Sequence, residues 1–156
     1  ARHRREAYVA AAAELPEPVR RYIVPSIFGG PPGPSSSFLM DVLGALRASF
    51  KLIDWRTRTC VIDTESFQHV GLFAITLAPP SHGADREIEI ARLPDLVRKL
   101  SPFKVRTGVA GLVNQLEVET ALAAGAHFIA GPAVSGPLSE PAPRMHVART
   151  DFPLQE

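Results

Sequence analysis

Apolar residues recur at helical spacing in several parts of the chain. Residues 6–15 are rich in alanine, the strongest helix former, and predict an N-terminal helix. Residues 38–46 repeat apolar side chains every three to four positions, which is typical of an amphipathic helix. Residues 114–124 predict another helix, because Asn114 and Glu117 have the spacing of a capping box. These patterns predict helices in well-separated parts of the chain.

Short apolar runs between these segments predict buried strands. The clearest run is 71–77, whose continuous apolar composition favours a parallel sheet covered on both faces. Residues 85–100 are ambiguous, because the first half alternates like a strand and the second half repeats like a helix. Residues 29–37 are all glycine, proline or serine and predict a loop whose serines cap the next helix. The predicted strands are 22–27, 50–54, 60–63, 71–77, 104–112 and 127–134.

The alternation of predicted strands and helices indicates a parallel α/β fold with right-handed crossovers. The chain has 156 residues, which hold about five strand-helix units of ~30 residues, whereas a closed eight-fold barrel takes ~250 residues. We therefore expect a partial barrel. We divide the chain into an N-terminal helix and linker at 1–20, an α/β domain at 21–138 and an irregular C-terminal tail at 139–156.

Composition and charge narrow the classes of protein. Seventeen Lys and Arg against sixteen Asp and Glu give a net charge of +1, which does not favour nucleic acid or an anionic membrane as a partner. The single cysteine, Cys60, excludes an intrachain disulfide framework and a multi-cysteine zinc site. No apolar run reaches the ~20 residues of a membrane span, so we expect no span and a cytoplasmic location.

A set of framework residues lies in 105–138, the stretch VRTGVAGLVNQLEVETALAAGAHFIAGPAVSGPL. This stretch resembles the C-terminal end of EAL domains, the barrel-type phosphodiesterases that hydrolyse cyclic di-GMP. In that family one strand ends in Glu-Gly-Val-Glu-Thr and the last strand ends in Gln-Gly-Tyr-Leu-Phe-Ser-Arg-Pro-Leu. Residues 46–54 and 71–77 are more weakly similar to two earlier strands of the family, and the resemblance implies a partial, truncated TIM-barrel-like EAL domain. The matching framework residues are Gly125, Gly131, Ser135, Pro137 and Leu138.

The resemblance also implies that the catalytic groups have been lost. In EAL domains, carboxylates from several strand ends hold the divalent metals that activate water. Here Ala110 and Val113 replace the two glutamates of Glu-Gly-Val-Glu-Thr. Ala130 replaces the glutamine of the last strand, and Ala74 or a close neighbour replaces the lysine of the Lys-Ile-Asp strand. Asp54 alone remains as a candidate ligand, so the resemblance implies no catalytic residues, no metal and no cofactor.

Four residues are candidates for binding a ligand: Asp54, Gly108, Gly111 and Gly131. Asp54 lies at a predicted strand end, where the functional residues of such sheets gather. Its alternative role is a surface ion pair with Arg56 or Arg58, or a helix cap. The three glycines would let backbone amides approach a phosphate, and their alternative role is steric.

Other reactive side chains fit structural roles. Cys60 has no histidine close in sequence and is expected to be a buried, unreactive thiol. Trp55 is expected to be a framework residue. Asp63 and Glu65 are expected to lie in a solvated loop, and the five histidines show no metal-ligand spacing.

The leading hypothesis is a non-catalytic signalling or interaction module of the degenerate EAL type, acting by protein-protein contact or residual cyclic di-GMP binding. A partial barrel leaves strand edges and an apolar sheet face open, so we expect a homo-oligomer or docking onto another domain of a parent protein. The first alternative is a small phosphate-binding α/β enzyme with Asp54 and the glycine turns in its site. The second alternative is a flavodoxin-like receiver or scaffold, for which Asp54 and Asp63 are the candidate acids.

Overall fold

The computed structural model describes residues 2–28, 36–67 and 70–136, and within them one five-stranded parallel sheet. The predicted tail at 139–156 and residues 29–35 of the predicted loop lie outside the described residues. The strands are β1 (Ser26–Ile27), β2 (Asp54–Thr57), β3 (Ala74–Leu77), β4 (Arg106–Ala110) and β5 (Phe128–Ala130). The helices are α1 (Arg2–Glu14), α2 (Glu17–Arg20), α3 (Ser36–Arg47), α4 (Ala84–Ala91), α5 (Leu93–Leu100) and α6 (Gln115–Ala123).

The strands lie in the order in which they occur along the chain, and every neighbouring pair is parallel. This confirms the predicted α/β fold with parallel strand-helix alternation. A doubly wound sheet reverses its strand order at a switch point, and no reversal occurs among these five strands. The sequential order is compatible with five adjacent strands of a barrel.

Alternate residues of each strand point to opposite sides of the sheet, so the register defines two faces. On the side of the helices, Trp55, Ile75 and Val109 belong to the hydrophobic core. Their helical partners in the same core are Leu39, Leu43, Leu93, Leu96, Leu100 and Val118. The opposite side, here called the open face, carries Ser26, Asp54, Arg56, Ala74, Thr76, Arg106, Gly108, Ala110, Phe128 and Ala130.

The open face is not the apolar surface that the sequence led us to expect. It carries a carboxylate, two guanidinium groups and two hydroxyl groups on β1–β4. The sequence predicts the strands as apolar runs, but each strand in the structure has only two to five residues. In β2, moreover, the residues at alternate positions are charged. The apolar runs extend into the segments before each strand, where Ile53 and Leu72 join the core.

The ambiguous segment 85–100 forms two helices rather than a strand and a helix. α4 ends at Ala91 and α5 begins at Leu93, with Pro94 in the first turn, where its missing N–H costs no hydrogen bond. Ile90 and Leu93 are both buried, so the apolar residues on either side of the break face the core. Helix packing therefore decides the structure of a segment whose alternation resembled that of a strand.

Several predicted strands have different bounds in the structure. The segment 50–54 pairs only from Asp54, whose N–H donates to the carbonyl of Pro25 at 3.0 Å. The predicted strand 60–63 is wrong, because the N–H of Cys60 donates to the carboxylate of Glu89 rather than to a neighbouring strand. The last predicted strand ends at Ala130, since Gly131 turns the chain and its carbonyl accepts from Val134 at 2.9 Å.

The predicted ends of α6 are confirmed. Asn114 is the N-cap, and its side-chain oxygen accepts from the N–H of Glu117 at 3.0 Å. Gly125 follows the helix with φ +81°, the left-handed conformation that glycine adopts without a steric penalty. Ser36 and Ser37, predicted as part of the preceding loop, lie inside α3.

Among the glycines that the structure describes, Gly131 is the one whose replacement should lower the stability of the fold most. Its φ is +146°, and a Cβ at this position would overlap the backbone nitrogen and oxygen of Leu112. We expect Gly131→Ala to lower the free energy of unfolding by about 2 kcal/mol or more, measured by urea denaturation. The matched control is Gly44→Ala in α3, where nothing lies near the added methyl group and stability should rise by up to about 1 kcal/mol. Equal unfolding midpoints for Gly131→Ala and the unmodified chain would contradict the close approach of the two turns.

Candidate functional site

Asp54 is the central acid of the open face and is tied into three strands. Its Oδ2 accepts from the hydroxyl of Ser26 on β1 at 2.6 Å, and its Oδ1 accepts from the hydroxyl of Thr76 on β3 at 2.7 Å. The Nε of Arg56 lies 3.7 Å from Oδ2, and the Asp54 side chain is 9% exposed. The expected ion pair with Arg56 is therefore present, and both oxygens of the carboxylate already have partners.

Gly108 lies next to this network rather than beside a free space. A Cβ on Gly108 would come within 2.6 Å of Oγ1 of Thr76, the atom that donates to Asp54. Glycine at this position therefore leaves Thr76 the room to reach Asp54. Of the four predicted ligand residues, the structure brings Asp54 and Gly108 together through Thr76.

Gly111 and Gly131 lie together at the carboxyl ends of β4 and β5. The amides around them donate to backbone carbonyls. The N–H of Leu112 donates to Ala130 at 3.1 Å, and the N–H groups of Val134 and Ser135 both donate to Gly131. These turns therefore hold the strand ends together, and phosphate binding by them stays a prediction.

Two guanidinium groups of the open face lie against phenylalanine rings. The Cζ of Arg106 is 5.0 Å from the centroid of Phe73 and 5.8 Å from that of Phe128. On the same face, at β1 and β2, the Cζ of Arg56 is 5.2 Å from the ring of Phe28. Phe28 is 62% exposed and Phe128 is 40% exposed. These residues were not among the predicted site residues. The signal for Arg106 was its alternation with the predicted residue Gly108 along one strand, which places both on the same face.

A buried ion pair closes the carboxyl edge of β3 and β4. The Nε and Nη2 of Arg86 on α4 donate to the two carboxylate oxygens of Glu117 at 2.7 and 2.6 Å. Arg86 also donates to the carbonyls of Pro80 at 2.8 Å and Gly111 at 2.6 Å. Glu117 Oε2 accepts in addition from the N–H of Val113 at 2.9 Å. One guanidinium therefore joins the segments that follow β3 and β4 to the start of α6.

Each partner of this pair changes the pKa of the other. The hydrogen bonds from Arg86 lower the pKa of Glu117, although burial acts in the opposite direction. The same hydrogen bonds raise the pKa of Arg86. Both groups are therefore charged at neutral pH. From the sequence, Glu117 is expected only to help cap the start of α6. No spacing or motif in the sequence connects Glu117 to Arg86.

Glu89 on α4 makes a second connection, to the segment after β2. Its carboxylate accepts from the N–H of Cys60 at 2.5 Å and from the hydroxyl of Thr59 at 3.0 Å. Burial and the nearby Glu89 carboxylate raise the pKa of the Cys60 thiol to about 12. The thiol is protonated at neutral pH, and its 4% exposure confirms the prediction of a buried cysteine.

The remaining candidates have the structural roles that were predicted for them. Trp55 is 2% exposed and its ring centroid lies 6.2 Å from that of Phe67. Asp63 is exposed and accepts from the hydroxyl of Ser66 at 2.5 Å, which lowers the pKa of its carboxyl. The described residues contain no group of three or more His, Cys, Asp or Glu side chains that would hold a metal ion. Within the same ranges, every helix is too short or too polar to cross a bilayer.

Comparison with known proteins finds similarity to solved structures but not to a protein family. No protein-family model and no curated protein matches the chain. A nitroalkane oxidase from Streptomyces ansochromogenes is similar in structure, with a TM-score of 0.48 and 16% sequence identity. The match covers 83% of this chain and 38% of that one, so the chain spans well under half the length of its neighbour. Similarity at this level carries no argument about function, and the resemblance to EAL domains stays a prediction.

The Arg86–Glu117 pair should dominate stability at the carboxyl edge. Glu117→Gln leaves a buried guanidinium without its counter-charge, so we expect a loss of about 3 kcal/mol in the free energy of unfolding at pH 7. The exposed pair of Arg98 and Asp95 is the matched control, and Asp95→Asn should cost at most about 0.5 kcal/mol.

The pH dependence gives the same test a second readout. Because the fold lowers the pKa of Glu117, the stabilisation that its carboxylate contributes is complete above its ordinary pKa of 4.5. This stabilisation is lost as the pH falls through the pKa that Glu117 has in the folded state. The stability difference between the unmodified chain and Glu117→Gln should therefore shrink below about pH 4.5. Urea denaturation between pH 3 and pH 7 measures it, and a difference that does not change with pH would contradict the assignment.

Proposed function

We propose that this chain is a non-catalytic signalling and interaction module of the degenerate EAL type, whose open face binds a second copy of the chain. The observation that carries the proposal is the state of Asp54. Its oxygens accept from Ser26 and Thr76 and face Arg56, so both oxygens of this carboxylate already hold neighbouring strands together.

The residues at the other strand ends support the loss of catalysis. In the EAL family a glutamate stands at the position of Ala110, which ends β4 in this chain, and a glutamine stands at the position of Ala130, which ends β5. Val113, which replaces the second acid of the family motif, is 51% exposed and its N–H donates to Glu117. A divalent cation needs several oxygen ligands, and methyl and isopropyl groups supply none.

The side chains of the open face support a contact surface. Phe128 and Arg106 lie on it, and Phe28 and Arg56 form a second aromatic and guanidinium pair at β1 and β2. Aromatic and arginine side chains are enriched among the residues that contribute most to protein interfaces. Covering the exposed parts of these rings with another protein surface would remove apolar area from water.

A second copy of the chain is a partner that would cover both the open face and the outer strands of the sheet. β1 and β5 each pair with one neighbour among the described strands, which leaves a row of backbone groups on their outer sides. A two-fold arrangement brings the same patch of both chains together, so that the arginine of one chain meets the rings of the other. Cyclic di-GMP is a second ligand of suitable chemistry, because its purines would stack on the rings and its phosphates would pair with the arginines.

The phosphate-binding enzyme remains the alternative proposal. It requires free backbone amides in the glycine turns, and the N–H groups of Leu112, Val134 and Ser135 donate to the carbonyls of Ala130 and Gly131 instead. It also requires an acid or base, and Asp54 is engaged as described above. These contacts favour the interaction module.

Sedimentation velocity at micromolar concentration tests the proposal. We expect the unmodified chain to be dimeric, and we expect Phe128→Ser to weaken the dimer by about 2 kcal/mol, which is roughly thirtyfold in the dissociation constant. The matched control is Leu116→Ser on α6, where the side chain is 73% exposed on the helical side and the dimer should persist. A strictly monomeric unmodified chain, or equal effects of the two variants, would overturn the assignment of the open face.

A further inference from the structure

A cavity of about 510 Å³ lies at the amino ends of the first two strands. Its walls come from α2 and Arg21, which precede β1, and from residues 47–51, which precede β2. In a parallel sheet, the segments that precede neighbouring strands meet at one edge. The cavity is therefore at the opposite edge of the sheet from Gly111 and Gly131, and it shares no lining residue with the open face.

The charge of the lining is strongly one-sided. Arg20, Arg21, Arg47 and Lys51 line the cavity, and Glu17 is the one acid among its lining residues. The chain as a whole has a net charge of +1, so this edge concentrates positive charge that is balanced elsewhere. Like charges held together repel one another, and an anion inside the cavity would remove that repulsion.

Within the described residues, the Nε of Arg20 has no hydrogen-bond partner and Lys51 forms no ion pair. Arg21 donates to the carbonyl of Pro18 at 3.3 Å, and Arg47 donates to the carbonyl of Val70. The Nε of Arg20 is buried and makes no hydrogen bond in this part of the chain, and Lys51 is exposed and forms no ion pair there. A buried donor without a partner is rare in folded proteins, because desolvation without a hydrogen bond costs free energy.

We propose that this cavity binds a small molecule that carries a phosphate or diphosphate group. The planar guanidinium of Arg20 matches the geometry of phosphate oxygens, and Lys51 supplies a second, mobile positive charge. The volume lies within the ~300–1,000 Å³ range of small-molecule sites, so it accommodates a group larger than phosphate alone. Phe50, which is buried at 6% exposure, gives an apolar wall for that remaining part.

This site is independent of the proposed interaction module. Binding here would not involve Asp54, Arg106 or Phe128, which lie on the open face. It would bridge the segments before β1 and β2, whose ladder contains only two residue pairs. A bound phosphate group would therefore stabilise the least extensively paired neighbours in the sheet.

Calorimetric titration of the full chain with pyrophosphate and with inorganic phosphate tests the proposal. We expect saturable binding at low ionic strength, tighter for pyrophosphate because it carries more charge. Lys51→Glu and Arg20→Gln should each weaken pyrophosphate binding at least tenfold. Lys99→Glu is the matched control, since Lys99 is exposed on α5 and does not line the cavity, and it should change binding less than twofold.

The remaining outcomes separate this site from general attraction of anions. Thermal unfolding without ligand verifies that each variant is folded, and the exposed position of Lys51 makes its variant the safer of the two. Loss of binding in Lys99→Glu equal to that in Lys51→Glu would overturn the proposal, as would the absence of saturable binding. Binding only to vesicles that contain an anionic phospholipid, with no affinity for pyrophosphate, would also overturn it.

Discussion

The ion pair between Arg86 and Glu117 is the contact on which the carboxyl edge of the sheet depends. Both groups are buried, and Arg86 uses its remaining donors on the carbonyls of Pro80 and Gly111. Arg86 on α4 thereby connects the segments that follow β3 and β4 to the start of α6. An ion pair of this kind adds little when replaced as a whole by apolar groups, but it is costly to break on one side. It therefore determines where the strand ends lie, more than how stable the whole fold is.

The two faces of the sheet follow from this frame and have different chemistry. The helical side is apolar and closed by α3–α6, whereas the open face gathers Asp54, Arg56, Thr76 and Arg106. On that face the acid holds the strands together through two hydroxyl groups, and the arginines lie over exposed rings. A surface built in this way is suited to contact, and its only carboxylate on β2 is already engaged. The cationic cavity at the amino edge adds a second, separate place for a ligand.

Local signals in the sequence predicted α1, α3, α6 and the parallel alternation, whereas α4 formed from a segment that alternates like a strand. Asn114 and Glu117 predicted the start of α6. The sequence could not place contacts between distant segments. Arg86 and Glu117 are 31 residues apart, and Arg106 meets Phe128 from a neighbouring strand. The bounds of β2 also depend on its partner, because pairing with Pro25 and β1 decides that the ladder begins at Asp54. The character of the open face was missed for the same reason, since it depends on register.

We propose that this chain presents a recognition surface and does not catalyse a reaction. The most direct measurement incubates the purified chain with cyclic di-GMP in magnesium buffer and analyses the mixture for hydrolysed product by chromatography, with an active EAL phosphodiesterase alongside as a positive control. The account predicts that the nucleotide remains intact, whether or not calorimetry detects binding. Product that accumulates with time in proportion to the amount of chain would contradict the account, and would mean that Asp54 and its neighbours perform chemistry that their hydrogen bonds argue against.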